Sequence, residues 1–199
     1  EGTKIFYTGD LNDAKTPIHD PMQFPDPDDP IDFLITESTN ADKILPSRKV
    51  INSEMVRSLM RSYSKKAKIL IPSFSLGRSQ EIQLFLSQEL DSYLGNYPVY
   101  IDGMIIQMNR IYENFLNEDW VSPRLLLWLK EKGYKSPFMR DGLFEVNELF
   151  NRQTSREKIR ESLSKDEGSR ILLTTSGMME GGPIFDYLRF CGSNVNNKL

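Results

Sequence analysis

Apolar runs of strand length constrain the fold of this chain more than any other feature. Four of them are "TKIFYTG", "DFLITES", "AKILIPSF" and "SRILLTTSG", and a glycine or a serine stands at or next to the end of each. Such nearly continuous apolar runs are typical of strands that are buried on both faces of a parallel sheet. The run "YPVYIDG" predicts a fifth strand, and "LFEVN" leaves a sixth open.

Helical patterns follow most of these runs. One begins after Asn52 or Ser53, either of which could cap it, and its apolar face holds Val56, Leu59, Met60 and Tyr63. The segment "SPRLLLWLKEKG" has Ser122 as cap, Pro123 in the first turn and Gly133 as terminator. Alternating strands and helices predict an α/β fold with a doubly wound, mainly parallel sheet and helices on both faces, of the Rossmann-like type.

Composition excludes several classes of protein. The 199 residues are 39% hydrophobic and 27% charged, which is ordinary for a globular domain, and the net charge of −3 gives no overall basic footprint. The single cysteine, Cys191, excludes an internal disulfide, and no apolar run is long enough to span a bilayer. We therefore expect a soluble cytoplasmic protein without a membrane partner. The single histidine cannot build a His-rich zinc site.

Polar residues stand at the ends of four predicted strands: Asp10, Glu37, Ser73 and Ser176. Because the carboxyl ends of parallel strands share one edge, a single rim would collect these side chains, and ligands bind at such rims. Asp10 is either a turn residue or a metal ligand on a rigid strand end. Glu37 is either a strand-end acid held by the hydroxyls of Ser38 and Thr39 or a group that orients a ligand or moves a proton.

Two turns combine a strand end with a helix start. In "IPSFSLGRSQEI" the strand ends at Pro72 and a helix begins near Arg78 or Ser79, so backbone N–H groups could seat a phosphate and Arg78 could add a bidentate contact. Simple helix capping with Glu81 explains the same residues. "TTSGMMEGGPIF" repeats the arrangement and matches neither the dinucleotide fingerprint nor the P-loop pattern.

Other features favour structural roles. The Pro- and Asp-rich stretch from Thr16 to Pro30 predicts an exposed loop, and His19 within it is interpreted as an exposed, non-functional histidine. Trp120 and Trp128 are expected to pack, with a partner interface open for one of them.

Taken in order, "YTGDLN", "LITESTN", "IPSFSLGRSQEI" and "LLTTSGMMEGGP" resemble the β-CASP branch of the metallo-β-lactamase superfamily. This branch contains RNA-processing nucleases, among them the endonuclease subunit of the cleavage and polyadenylation specificity factor, its archaeal relatives and RNase J. The sequences of the last two motifs are most similar to those of the archaeal and bacterial members. The resemblance covers about Lys4 to Cys191.

The resemblance implies roles for individual residues. Asp10 matches a metal-bridging aspartate, and Glu37 matches an acid that partners a histidine of the catalytic cleft. The two turns would line an RNA channel through Ser73, Ser75, Gly77, Arg78, Ser176, Gly177, Met178, Gly181 and Gly182. Residues 1–15 would be the end of the metallo-β-lactamase domain, residues 16–31 would form a linker loop, and residues 32–199 would form the β-CASP domain. The cofactor would be two zinc ions in the full-length protein.

The departure from the family pattern is large, because the histidine-rich zinc-binding motifs are absent. The resemblance thus implies part of a longer polypeptide that hydrolyses RNA, as an endonuclease or a 5′–3′ exonuclease, in mRNA 3′-end processing. The chain alone is expected to be inactive and metal-free. Its partners would be RNA and the metallo-β-lactamase domain of the same polypeptide, and a homodimer is left open. A non-catalytic RNA-binding scaffold is the alternative, and a Rossmann-like cofactor enzyme ranks third.

Overall fold

The computed structural model describes residues 2–90, 97–116, 120–138, 141–149 and 154–199. These residues contain six strands and six α-helices, with a short 3₁₀ helix at Val146–Leu149. The strands are β1 (Ile5–Tyr7), β2 (Phe33–Ile35), β3 (Lys68–Pro72), β4 (Val99–Asp102), β5 (Leu143–Glu145) and β6 (Arg170–Thr174). The helices are α1 (Arg48–Ser64), α2 (Arg78–Glu89), α3 (Ile105–Asn114), α4 (Pro123–Lys132), α5 (Arg156–Lys165) and α6 (Pro183–Cys191).

The strands form two parallel sheets. The larger has the order β3-β6-β4-β5, and in it Leu172 of β6 pairs with both Leu70 and Tyr100. The smaller contains only β1 and β2, with Ile5 opposite Phe33. The predicted α/β class and the sixth strand are confirmed. The prediction of one sheet is wrong for β1 and β2, which pair with each other and carry largely exposed side chains.

Helices cover both faces of the larger sheet. Alternate strand residues point to opposite faces, so Ile69, Ile171 and Leu173 pack against α1, α2 and α3, whereas Leu70 and Leu172 pack against α5 and α6. The central strand β6 is therefore followed by a helix on one face, while both of its neighbours are followed by helices on the other. This arrangement opens crevices beside the carboxyl end of β6.

Helix boundaries follow local capping. The hydroxyl of Ser122 accepts a hydrogen bond from the backbone N–H of Leu125, and Gly133 ends α4 with a left-handed φ of 70°, as predicted. The predicted cap of α1 is wrong, because α1 begins at Arg48 with Ser47 as its cap. None of the helices in the described ranges is long and apolar enough to cross a membrane.

The proline-rich stretch is only partly an exposed loop. Ile18 is fully buried in a cluster with Leu84 of α2 and Leu125 of α4, and its carbonyl accepts a hydrogen bond from Ser122. His19 is half-buried, with its Nε2 3.3 Å from the hydroxyl of Tyr112. The prediction that this histidine is exposed is therefore wrong. The proposed domain boundaries stay a prediction.

Candidate functional site

The small sheet brings two of the predicted acids together. Tyr7 is opposite Ile35, and Thr8 N–H donates to the carbonyl of Ile35, so both strands end at the same place. Asp10 and Glu37 follow these strand ends. Gly9 makes the turn before Asp10 with a φ of 58°, a conformation that glycine adopts without steric cost.

Backbone amides hold the Glu37 carboxylate. Its Oε2 accepts a hydrogen bond of 2.8 Å from Thr39 N–H, and the backbone of Leu11, the residue after Asp10, makes a smaller contribution to the lowered pKa of this carboxylate. The Thr39 bond is the main cause that lowers the pKa of Glu37, so this side chain is an ionised acceptor at the end of β2. Thr39 thus holds Glu37 as predicted, but chiefly through its backbone N–H and only secondarily through its hydroxyl.

The two acids do not make a two-zinc site by themselves. Within the described ranges, no group of three or more histidine, cysteine, aspartate or glutamate side chains could hold a metal ion. A site for two zinc ions needs more donors than Asp10 and Glu37 supply. We therefore derive no chemical step through a metal from this chain.

The two glycine turns lie against each other at the carboxyl edge of the large sheet. Ser73 N–H donates to the carbonyl of Thr174 over 2.9 Å, which continues the pairing of β3 with β6. A methyl group on Gly177 would lie 2.8 Å from the backbone nitrogen of Phe74 and 2.9 Å from the carbonyl carbon of Ser73. Only a glycine permits this approach, so Gly177 joins the two turns.

Arg78 stands exposed at the start of α2. Gly77 precedes it with a φ of 78°, and no side chain of the described residues caps the helix, although the N–H of Arg78 itself donates to the carbonyl of Leu76. The guanidinium of Arg78 pairs with Glu81 at 2.6 Å, and Arg48 reaches the same carboxylate at 3.8 Å. Ser75 contributes its carbonyl, which accepts bonds from Ser79 and Gln80. Two arginines and one acid leave this corner positively charged.

A recess of about 560 Å³ opens on the other side of β6. It contains three of the predicted residues, Ser176, Gly181 and Gly182. Gly182 precedes α6, which begins at Pro183 as predicted. Met178 is 65% exposed in the same turn.

Sequence reasoning missed several residues of this recess: Asp102, Gly103, Gln107, Asn147, Arg156 and Arg160. The sequence does contain a signal for Asp102 and Gly103. In "YIDG" an acid and a glycine stand at the end of a strand, and the same residue types follow the first strand at Gly9 and Asp10. No comparable signal marks the two arginines, which belong to the mostly polar helix α5.

A buried ion pair forms the floor of the recess. Arg160 donates to Asp102 at 2.7 Å and to Asp186 at 2.9 Å, and the hydroxyl of Tyr187 donates to Asp102 at 2.9 Å. Burial lowers the pKa of Arg160, but the bonds to the two acids outweigh it and raise the pKa overall. Burial beside Asp102 raises the pKa of Tyr187. This network fixes α5 and α6 against β4.

The predicted site residues thus form two groups. Asp10 and Glu37 lie on the small sheet, and the residues of both glycine turns lie on the carboxyl edge of the large one. These features define a doubly wound α/β domain whose candidate site consists of glycine turns, arginines and helix starts at one sheet edge.

Comparison with known proteins gives this domain a family. The model described as Beta-Casp domain matches residues 79–199. Among curated relatives, an RNase J-like protein of Methanocaldococcus jannaschii is 32% identical over the whole chain, which covers 43% of that relative. A transcription termination factor FttA of the same organism is 31% identical over 98% of this chain, which covers 29% of that relative. The chain belongs to the β-CASP family, and it spans less than half the length of these relatives.

Proposed function

We propose that this chain forms one wall of an RNA cleft in a longer metal-dependent ribonuclease. One observation carries the proposal: Gly177 joins the two glycine turns at the carboxyl edge of the sheet, between a positively charged helix start and a polar recess. Arginines and the positive ends of two helix dipoles together suit the phosphates of a nucleic acid. The names of the relatives, RNase J-like protein and probable RNase, support hydrolysis of RNA.

The finer parts of the proposal come from the resemblance. The metal would be zinc, Asp10 would be its ligand from this chain, and Glu37 would act beside it. The remaining ligands would come from a metallo-β-lactamase domain of the same polypeptide, which would act in the cytoplasm on RNA such as mRNA 3′ ends. Asp10 and Glu37 follow the ends of the paired strands β1 and β2, which supports that role.

A non-catalytic RNA-binding role is the second candidate. It is favoured by relatives that are named transcription termination factor and that match the chain over 97–98% of its length. End-labelled RNA incubated with the longer polypeptide, with and without a chelator, separates the two roles. Chelator-sensitive cleavage that is lost in Asp10→Ala supports the nuclease, whereas RNA binding without cleavage supports the scaffold.

RNA binding by the wall itself is tested with the 199-residue chain. Arg78→Ala should weaken binding of a single-stranded oligonucleotide and reduce the slope of log affinity against log salt by about 0.7, because one phosphate contact is lost. Fluorescence anisotropy at several salt concentrations measures both quantities.

Arg61→Ala is the matched control. This exposed arginine lies in the last turn of α1, which leads into the opening of β3 at the opposite edge of the sheet. Its removal should leave the salt slope unchanged. Equal slopes for all three proteins would reject the phosphate contact of Arg78.

A further inference from the structure

A second recess, of about 300 Å³, lies beside the first glycine turn and is almost entirely apolar. Its lining comes from four separate parts of the chain: the loop of residues 16–30, the first glycine turn, α3 with its C-cap, and the segment before α4. The lining residues are His19, Leu76, Ile111, Tyr112, Phe115, Trp120 and Val121. The volume is at the lower end of the range for sites that hold small molecules, so it suits one planar group.

The side chains around this recess are exposed to an unusual degree. Trp120 is 70% exposed, Leu76 is 58% exposed, and Ile111 and Phe115 are each 45% exposed. Trp120 is therefore not packed away from solvent, and the alternative of a partner interface stays open for it. Trp128 packs edge-on against Tyr134, with the ring centroids 5.7 Å apart. Four exposed apolar side chains around one concavity form a contiguous patch, and patches of this kind mark binding surfaces.

The rings are held in place before any ligand arrives. Phe115 and Trp120 meet edge to face with their centroids 6.2 Å apart, and His19 and Tyr112 are 5.7 Å apart. Such pairs stabilise each other beyond simple burial. A ligand ring would therefore meet walls that are already ordered.

Positive charge stands close to the opening. Leu76 lines the recess, and the carbonyl of Leu76 accepts a bond from the N–H of Arg78. Arg78 and Arg48 both pair with Glu81, and the negative charge of Glu81 acts on His19 and Tyr112 in the recess wall. The two guanidinium groups outnumber this one carboxylate. A ligand that combines a planar ring with a neighbouring anion satisfies both the rings and the arginines.

We propose that this recess binds an unpaired base of RNA by stacking, with the adjoining phosphate at the start of α2. The inference rests on the proposed RNA-binding function and adds a subsite to it. Aromatic platforms beside a basic track are how proteins bind single strands with little sequence preference, because every base has a π-face.

Trp120 offers a direct signal. The chain has two tryptophans, so Trp128→Phe leaves Trp120 as the one fluorophore of its kind. This variant is titrated with an oligo-U or oligo-A of about ten nucleotides and with an abasic sugar-phosphate strand of equal length. We expect the strands with bases to quench Trp120 fluorescence and to bind about 5- to 150-fold more tightly than the abasic strand.

Substitution then isolates the stacking contact. Trp120→Ala should lose that preference for bases while the salt slope stays unchanged, because no phosphate contact is removed. Phe24→Ala removes an aromatic ring that is 69% exposed outside the recess and serves as the matched control, with the preference for bases retained.

The outcomes separate the two proposals. If no strand binds the unaltered chain, the RNA-binding function itself fails. If RNA binds with an Arg78-dependent salt slope but strands with and without bases bind equally and Trp120 fluorescence does not change, RNA binding stands and the base subsite is rejected.

Discussion

Two glycines of one motif differ sharply in the space around them. An added methyl group on Gly177 would lie less than 3 Å from the backbone of Ser73 and Phe74, whereas one on Gly181 would have no atom of the described residues within 4 Å. Neither has a positive φ. The contrast shows that the first glycine is required by contact between the two turns and that the second lies beside an open recess.

Alanine substitution should separate these two glycines. Gly177→Ala is expected to lower the free energy of unfolding by about 1–3 kcal/mol, because backbone atoms of the neighbouring turn must move. Gly181→Ala is the control and should change stability by less than about 0.5 kcal/mol. Urea denaturation followed by circular dichroism measures both. Equal stability of the two variants would contradict the close contact.

At the scale of elements, the buried pair Asp102–Arg160 is the main polar connection between the sheet and its α5–α6 face. The side chain of Arg160 is 12% exposed and that of Asp102 is 3% exposed, so neither charge is well solvated without the other. Tyr187 and Asp186 of α6 complete the hydrogen bonds. A buried pair with satisfied hydrogen bonds orients the helices, and the loss of one partner leaves an uncompensated charge.

Arg160→Met keeps much of the side-chain volume and removes the charge. We expect the free energy of unfolding to fall by about 3–5 kcal/mol, because Asp102 stays buried without its partner. Lys158→Met on the exposed face of the same helix is the control and should be close to neutral. A small effect of Arg160→Met, within that of the control, would show that water or α6 alone satisfies Asp102.

The elements were predictable to the extent that their signals are local. All six strands and both ends of α4 follow from apolar runs and capping residues. The start of α1 does not, because its first turn extends into solvent, with Val50 50% exposed and Ile51 47% exposed. Only the part of a helix that packs shows an apolar periodicity, so the predicted start of α1 lies after the observed one.

Local sequence patterns could not predict which strands share a sheet. An apolar run shows that a strand exists but not which strand it pairs with, because pairing joins residues far apart in sequence. The two acids of β1 and β2 were therefore expected on the rim of the large sheet and are found on the small one. The recess arginines of α5 were missed for the same reason, since only the topology brings them to the carboxyl ends of β4 and β6.

At the scale of the whole molecule, Ile18 and His19 attach the loop of residues 16–30 to the α/β core. Ile18 fills a cluster that contains residues of α2 and α4, and His19 lies against Tyr112 of α3. A single apolar residue among prolines has no periodicity, so the sequence gives no sign of this attachment. The loop nonetheless connects the end of β1 to the core, and His19 is the titratable group at that contact.

Burial makes the attachment depend on pH. Desolvation lowers the pKa of His19 below its ordinary value of 6.5, and the charge of Glu81 opposes this only in part. The unfolded chain therefore binds a proton on His19 at a higher pH than the folded chain does. By linkage, the stability from neutral His19 is fully present above pH 6.5 and is lost as the pH falls below that value toward the lowered pKa.

Urea denaturation between about pH 7.5 and about pH 5.5 tests this linkage. The free energy of unfolding should fall with pH in the unaltered chain and fall less in His19→Gln, which keeps a polar side chain of similar reach but cannot titrate. Burial also raises the pKa of Glu145, an effect of opposite sign that is present in both proteins and cancels in their difference. Because His19 is the only histidine, the difference between the two pH profiles belongs to this loop contact. Parallel profiles would mean that His19 titrates as it does in water and that the loop is not held against Tyr112.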